Sequence, residues 1–382
     1  MIVNKINSNI PTKYANPAFK SYLPETLYKF SEKQTIKSEL VFRKTAKKFA
    51  KLLTSLQEFA DKITKKDTKS AKKLTNLFIQ EALKTKDSSP VFMWVNSVMT
   101  NSLGADREVE INIENNELQN LAASDEASIF IMNHDKQKED SRLVNFFNTL
   151  LTREYILNGK AANCPRPKII LNKDIIDTMD DEMKKLAEKW GAVGVDAAIH
   201  SANHIYNGKV LSKLLKEFID DKVNIFIFPE GRMCGFKHLE PEWKFQKGIA
   251  DIIRKAVTKK NRVKVVPLGF AYKKNTDAIH IGEPLYFKKD GDRVLFTPGT
   301  FDTTANNPKY TEFVEATKPE DSEGFRPILE NGKDVNIKNC SEFIAGILCD
   351  NLVAGKKQAA ESIKNVGSEK DNSTLYVIED LI

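Results

Sequence analysis

Ala127-Ser128-Ile129-Phe130-Ile131-Met132-Asn133-His134 is a short apolar run that stops abruptly in polar residues. An apolar stretch of this length, bounded by a polar cluster, reads as a buried strand. The pattern recurs at Val223-Asn224-Ile225-Phe226-Ile227-Phe228, which ends in Pro229-Glu230-Gly231. Between the two lie Leu143, Val144, Phe146, Phe147, Leu150 and Leu151 at helical spacing, a strand at 167–172 and a helix at 183–190. A strand at 191–195 and a helix with Leu211, Leu214, Leu215 and Phe218 on one face follow. Beyond the second run come a helix at 245–257 and a strand at 263–272; upstream, Val109, Ile111 and Ile113 alternate as in a half-buried strand. Strands alternating with helices of these lengths predict an α/β domain with a mainly parallel sheet flanked by helices. In such sheets reactive groups sit in loops beyond the carboxyl ends of strands, where both polar clusters fall.

The predicted α/β domain spans 104–355. Before it, 1–30 is an irregular lead-in with Pro11, Pro17 and Pro24, and 31–103 reads as a helical domain. Phe49, Leu52, Leu53, Leu56, Phe59 and Ile63 mark its first helix, Leu74, Leu77, Phe78 and Leu83 its second, and Ser89-Pro90 opens a third. Residues 288–338, rich in Asp, Asn, Thr, Gly and Pro, read as an insertion of loops and short strands. A helix is expected from Ser341, with Gly355 as its stop and 356–382 as a polar tail.

The net charge of +7 is concentrated: 43–73 hold eleven Lys/Arg against three acidic residues, leaving the remainder near neutral. Such a stretch is either a solvated helix face or an attractor of phosphate-bearing partners, whether an acidic carrier protein, an anionic membrane or nucleic acid. No recognised nucleic-acid module accompanies it, so nucleic acid is not expected. No run of about 18 apolar residues and no apolar signal core occur, and the four cysteines are scattered. A reducing cytosolic setting fits. Residues 91–99, with Phe92 and Trp94, either pack on the catalytic domain, the more ordinary use, or dip into a membrane surface.

The chemistry-bearing cluster is Asn133-His134 followed by Glu139 and Asp140. An imidazole suits general-base work near neutral pH, and a carboxylate on its second ring nitrogen fixes the tautomer and stabilises the imidazolium. If a helix starts near Lys136, one of Glu139 and Asp140 can turn back towards the ring. In the second cluster, Gly231 permits an unusual backbone path and Arg232 offers a planar fork for phosphate. His200 and His204 share the i, i+4 spacing of metal pairs, but neither an adjacent Glu nor a third ligand accompanies them, and a metal is not expected. His238 and His280 read as surface or core residues.

In order and spacing, the blocks Asn133-His134 with Glu139/Asp140, Gly191 to Asp196, Phe228 to Arg232 and Val265-Val266-Pro267 resemble the glycerol-3-phosphate and 1-acylglycerol-3-phosphate acyltransferase (PlsC-like) superfamily. Phe245-Gln246-Lys247-Gly248, Ile281-Gly282-Glu283-Pro284 and Lys173 match it in minor ways, and the likeness covers about 105–290. The resemblance implies transfer of a fatty acyl group from an acyl-carrier-protein or coenzyme A thioester to a hydroxyl of glycerol-3-phosphate or a lysophospholipid. By the same resemblance His134 is the base and Glu139 or Asp140 its partner. Glu230 binds acceptor hydroxyls or orders its loop, while Arg232 and Lys173 hold phosphate, with Gly231 and Asp196 in the same blocks. The helical leader resembles that of soluble plastid-type enzymes. No metal, resident cofactor or covalent acyl-enzyme is implied, and a cytoplasmic protein in peripheral membrane contact is expected. Two departures touch the acceptor side: Ala197 stands where the family has Arg, and Arg232 comes one position early. They leave open a non-phosphorylated acceptor, or a non-catalytic binder of lipid or carrier protein.

Overall fold

The computed structural model describes residues 110–113, 117–124, 126–135, 140, 143–145, 147–148, 151–152, 154–155, 160, 163–196, 204–230, 247–273, 276–299, 318–365 and 374–376. The predicted lead-in and helical domain, with the basic stretch, lie outside them.

The centre is a block of parallel strands. β2 (Ser128–Met132) lies between β5 (Val223–Ile227) and β6 (Val263–Lys273), and β3 (Arg166–Asn172) and β4 (Ala192–Val195) continue outward from β5. Antiparallel strands extend the other side: β8 (Leu285–Asp290), β9 (Arg293–Phe296) and β10 (Arg326–Pro327) follow β6 in order. β7 (Thr276–Ile281) also pairs with β6 and carries β1 (Glu110–Ile113), which pairs in turn with β13 (Thr374–Tyr376). The fold is thus α/β with a mixed sheet, parallel where the two polar clusters emerge. β8 and β9 make the predicted insertion begin as a hairpin of the main sheet, turning at Gly291 with φ 56°. Short strands β11 (Leu329–Glu330) and β12 (Lys333–Asp334) follow as a separate pair.

Alternation along β2 sorts its side chains between two helical layers, since successive residues of a strand face opposite ways. Ile129 and Ile131 join one core with α4 (His204–Ile219), α5 (Lys247–Val257) and α6 (Ser341–Asn365). Phe130 and Met132 join the other, with α1 (Glu117–Ala123) and Leu143, Val144, Phe147, Leu151 and Tyr155 of the helical residues between 140 and 155. Phe130 stacks on Phe226 at 4.6 Å and meets Phe147 edge-on at 5.2 Å, which ties β2, β5 and that helical stretch together. α2 (Lys173–Asp177) and α3 (Asp181–Trp190) connect β3 to β4.

Gly355 does not end the last helix, which runs on to Asn365. The apolar stripe continues through Ala359 and Ile363, which pack on Ala271 and Ala278. Gly355 is instead the point where α6 meets the sheet: a Cβ placed on Gly269 of β6 would lie 2.1 Å from the Gly355 carbonyl carbon. Among the described residues, no helix is long and apolar enough to cross a membrane.

Candidate active site

β2 and β5 are parallel and in register, with Ile131 opposite Ile227. Three residues beyond each lie His134 and Glu230, so the ladder itself brings them level. The His134 backbone N–H donates to Glu230 Oε1 at 3.0 Å. Phe228, one residue past β5, stacks on the imidazole at 4.4 Å between centroids and 28° between planes.

The Nδ1 of His134 bonds Asp140 Oδ2 at 2.7 Å, and the Asp140 side chain is fully buried while the imidazole is 21% exposed. A carboxylate accepts, so this bond assigns the proton to Nδ1 and leaves Nε2 as the lone-pair nitrogen. The Tyr272 hydroxyl of β6 donates to the other carboxylate oxygen, Oδ1. Asp140, one of the two acids the sequence leaves open, is thus placed on the ring; Glu139 lies outside the described residues.

Asn133 sets the position of the turn. Its side-chain Oδ1 accepts from the Phe270 N–H at 2.6 Å, and its Nδ2 donates to the Phe270 carbonyl at 3.1 Å. The β2–β6 ladder ends at Met132 opposite Leu268. The Asn133 amide therefore carries the pairing one step beyond the end of β2. It also donates to Asp135 Oδ2 at 3.2 Å, and the Lys356 ammonium of α6 pairs with the same oxygen at 2.7 Å. His134 and Asp135 are consecutive, and they are held from opposite layers: His134 by Asp140, Asp135 by the last helix.

Burial pushes the Glu230 carboxyl up to about 8, against the opposing effect of the His134 N–H, so it is neutral at pH 7. Burial likewise raises Asp135, with Lys356 pulling the other way. The site thus has a neutral acid beside the His134 backbone, while Asp140 sits on the imidazole ring.

Of the other residues singled out in the sequence, Lys173 opens α2 and its ammonium bonds Asp177, which raises its pKa. Asp196 follows β4 and is tied through its backbone: its N–H donates to Asn207 Oδ1 and its carbonyl accepts from Asn207 Nδ2, both at 2.8 Å. Gly231, Arg232, His200 and His238 lie outside the described residues. His204 begins α4, and His280 sits on β7 with its pKa lowered by burial. Among the described residues, no cluster of His, Cys, Asp and Glu has the geometry to hold a metal ion.

Sequence reasoning did not anticipate Tyr272 or Lys356. Tyr272 is 132 residues from Asp140, and only the strand pairing brings them together. No family model matches the chain, and no curated protein matches it.

Proposed function

We propose that this protein is an acyltransferase of the PlsC-like type, which moves a fatty acyl group from a carrier-protein or coenzyme A thioester to a hydroxyl. The observation that carries the reading is the His134–Asp140 pair: a 2.7 Å bond to a fully buried carboxylate, at the carboxyl end of a central parallel strand. In this mechanism Nε2 of His134 takes the acceptor's proton as its oxygen attacks the thioester carbonyl carbon. Asp140 stabilises the imidazolium. Collapse of the tetrahedral intermediate breaks the carbon–sulfur bond, and the proton passes to the departing thiolate, giving ester and free thiol. Glu230, which accepts the His134 N–H, serves the second of its two expected roles and orders the loop.

Acceptors in this proposal are glycerol-3-phosphate or a lysophospholipid, and the protein works in the cytoplasm with peripheral membrane contact. The pairing of Lys173 with Asp177 favours a second reading of the acceptor, an alcohol without phosphate, because that lysine's charge is already matched. Acyl transfer from acyl-carrier protein and acyl-coenzyme A tests both. The acceptors are glycerol-3-phosphate, lysophosphatidate and neutral alcohols, each assayed with wild type and His134→Ala. A phospholipid product lost in the variant supports the first reading, and a neutral ester lost in the variant supports the second. The absence of His134-dependent transfer to any acceptor, from folded protein, overturns the enzyme assignment in favour of a non-catalytic lipid or carrier-protein binder.

A further inference from the structure

β6 runs to Lys273, but its ladder with β2 ends at Leu268, so its last residues overhang the end of β2 as a wall beside the His134 turn. Side chains at 266, 268 and 270 face the core that holds Phe130, Met132 and Phe147, and Tyr272 packs against the same core. Phe228, one residue past β5, packs against that core too and stacks on His134. The overhang therefore carries Tyr272 to the face from which Asp140 approaches the imidazole. The Asn133 amide grips Phe270 at both N–H and C=O, which fixes the height of Tyr272 relative to His134. Two segments far apart in the chain thus converge on one buried carboxylate: Oδ2 faces His134, six residues away, and Oδ1 faces Tyr272, 132 residues away.

We propose that Tyr272 is a positioning residue for the general base. Its hydroxyl holds Oδ1 of Asp140 so that Oδ2 stays on Nδ1 of His134 and Nε2 remains the basic nitrogen. The inference rests on the reading of His134 as base but makes a claim of its own about the imidazole. A buried carboxylate is costly unless its oxygens find donors, and one held at a single oxygen can swing about its side-chain torsions. A donor on each oxygen removes that freedom. The tautomer of His134 then follows from Asp140, and the orientation of Asp140 follows from Tyr272, a short network whose members act together. A tyrosine that only fills space on the core face would leave the tautomer untouched when its hydroxyl is removed.

Tyr272→Phe keeps the ring and deletes the donor. The first readout is the tautomer of His134, by nitrogen NMR of histidine-labelled protein at a pH where the ring is neutral, with His134→Ala to assign the signal among the five histidines. Wild type is expected in the Nδ1–H form, and Tyr272→Phe as a mixture with a substantial Nε2–H population. The second readout is kinetic: kcat falls about tenfold to a hundredfold, the size of one hydrogen bond to a charged group, while KM is unchanged. The third is a double-mutant cycle in which Tyr272→Phe in an Asp140→Asn background costs less than about twofold, because its target is gone. A Tyr272→Phe protein that keeps both the wild-type tautomer and kcat overturns the proposal, and so do losses that simply multiply in the double mutant. If wild type transfers no acyl group, the tautomer readout still decides the role of Tyr272, so the two failures are distinguishable.

Discussion

Gly269 and Gly355 form one contact seen from two sides, yet replacing them with alanine is expected to give opposite results. A Cβ on Gly269 would meet the Gly355 carbonyl carbon at 2.1 Å, its oxygen at 2.2 Å and the Lys356 nitrogen at 2.5 Å, all backbone atoms. Reaching an ordinary contact of roughly 3.5 Å requires α6 to lift by about 1.4 Å from its 2.1 Å position. The helix is pinned on both sides of that point, by Leu348, Leu352 and Val353 in one core and by Ala359 and Ile363 in another. Overpacking against so constrained a neighbour costs about 2–4 kcal/mol. A Cβ on Gly355 meets nothing closer than the Gly269 nitrogen at 3.5 Å, ordinary van der Waals contact. Gly355→Ala then gains about 0.5–1 kcal/mol from the better helix former and the less flexible unfolded chain. Urea unfolding followed by circular dichroism should therefore separate the two variants by about 2.5–5 kcal/mol, with wild type between them. Gly269→Ala should also loosen the Lys356–Asp135 pair, since Lys356 is the next residue along the helix. Equal stability of the two variants, or a destabilised Gly355→Ala beside an unaffected Gly269→Ala, would refute this account of how the last helix packs.

Two further outcomes follow from buried charges. Burial raises Glu230 from 4.5 to about 8, so between those values the folded chain keeps a proton that the unfolded chain loses, and stability falls by about 1.4 kcal/mol per pH unit. Glu230→Gln keeps an acceptor for the His134 N–H and removes this slope, so its urea midpoint should gain on wild type from pH 5 to pH 8; a gap independent of pH argues against the buried neutral acid. Lys264 of β6 is 3% exposed and its ammonium donates to Ser124 Oγ at 3.0 Å; burial lowers its pKa from 10.5 to about 8, so its charge opposes folding at pH 7 and that penalty fades as pH rises from 8 towards 10.5. Lys264→Met is expected to stabilise the protein at pH 7 by about 1–3 kcal/mol, with the gain shrinking by pH 10, and a destabilised variant at pH 7 would count against the argument.

The parallel block was legible because its signal is local. β2 and β5 are five-residue strands, apolar but for Ser128 and Asn224 and followed by polar residues, and a strand buried on both faces has little alternation to obscure. The position of His134 was legible for the same reason: it stands two residues past a strand end, where α/β sheets place their polar loops. The choice between Glu139 and Asp140 was not legible, because spacing along the chain says how far a residue can reach but not which way it turns. Asp140 meets the ring beside Tyr272, which packs against the core of Phe130, Phe147 and Leu151. The last helix misled for a physical reason. Glycine usually ends a helix by adopting a left-handed conformation, but it also lets a backbone approach closely, and sequence cannot distinguish the two uses. Here Gly355 continues the helix at the point where α6 meets the sheet, and the residue that must be glycine for the close approach is Gly269 on the strand beneath it.

That closeness has a consequence for the site. Because α6 crosses β6 with backbone against backbone, the residue after the crossing, Lys356, reaches over the sheet edge to Asp135. A bulkier crossing would hold the helix too far out for the ammonium to meet a carboxylate that is only 6% exposed. Asp135 would then be a buried acid without its cation, beside Glu230, a second acid already raised by burial. The glycine contact, the lysine and the two acids form one chain of dependence. It runs from the last helix to the residue adjoining His134, which explains how a distant helix bears on the turn that carries the His134–Asp140 pair.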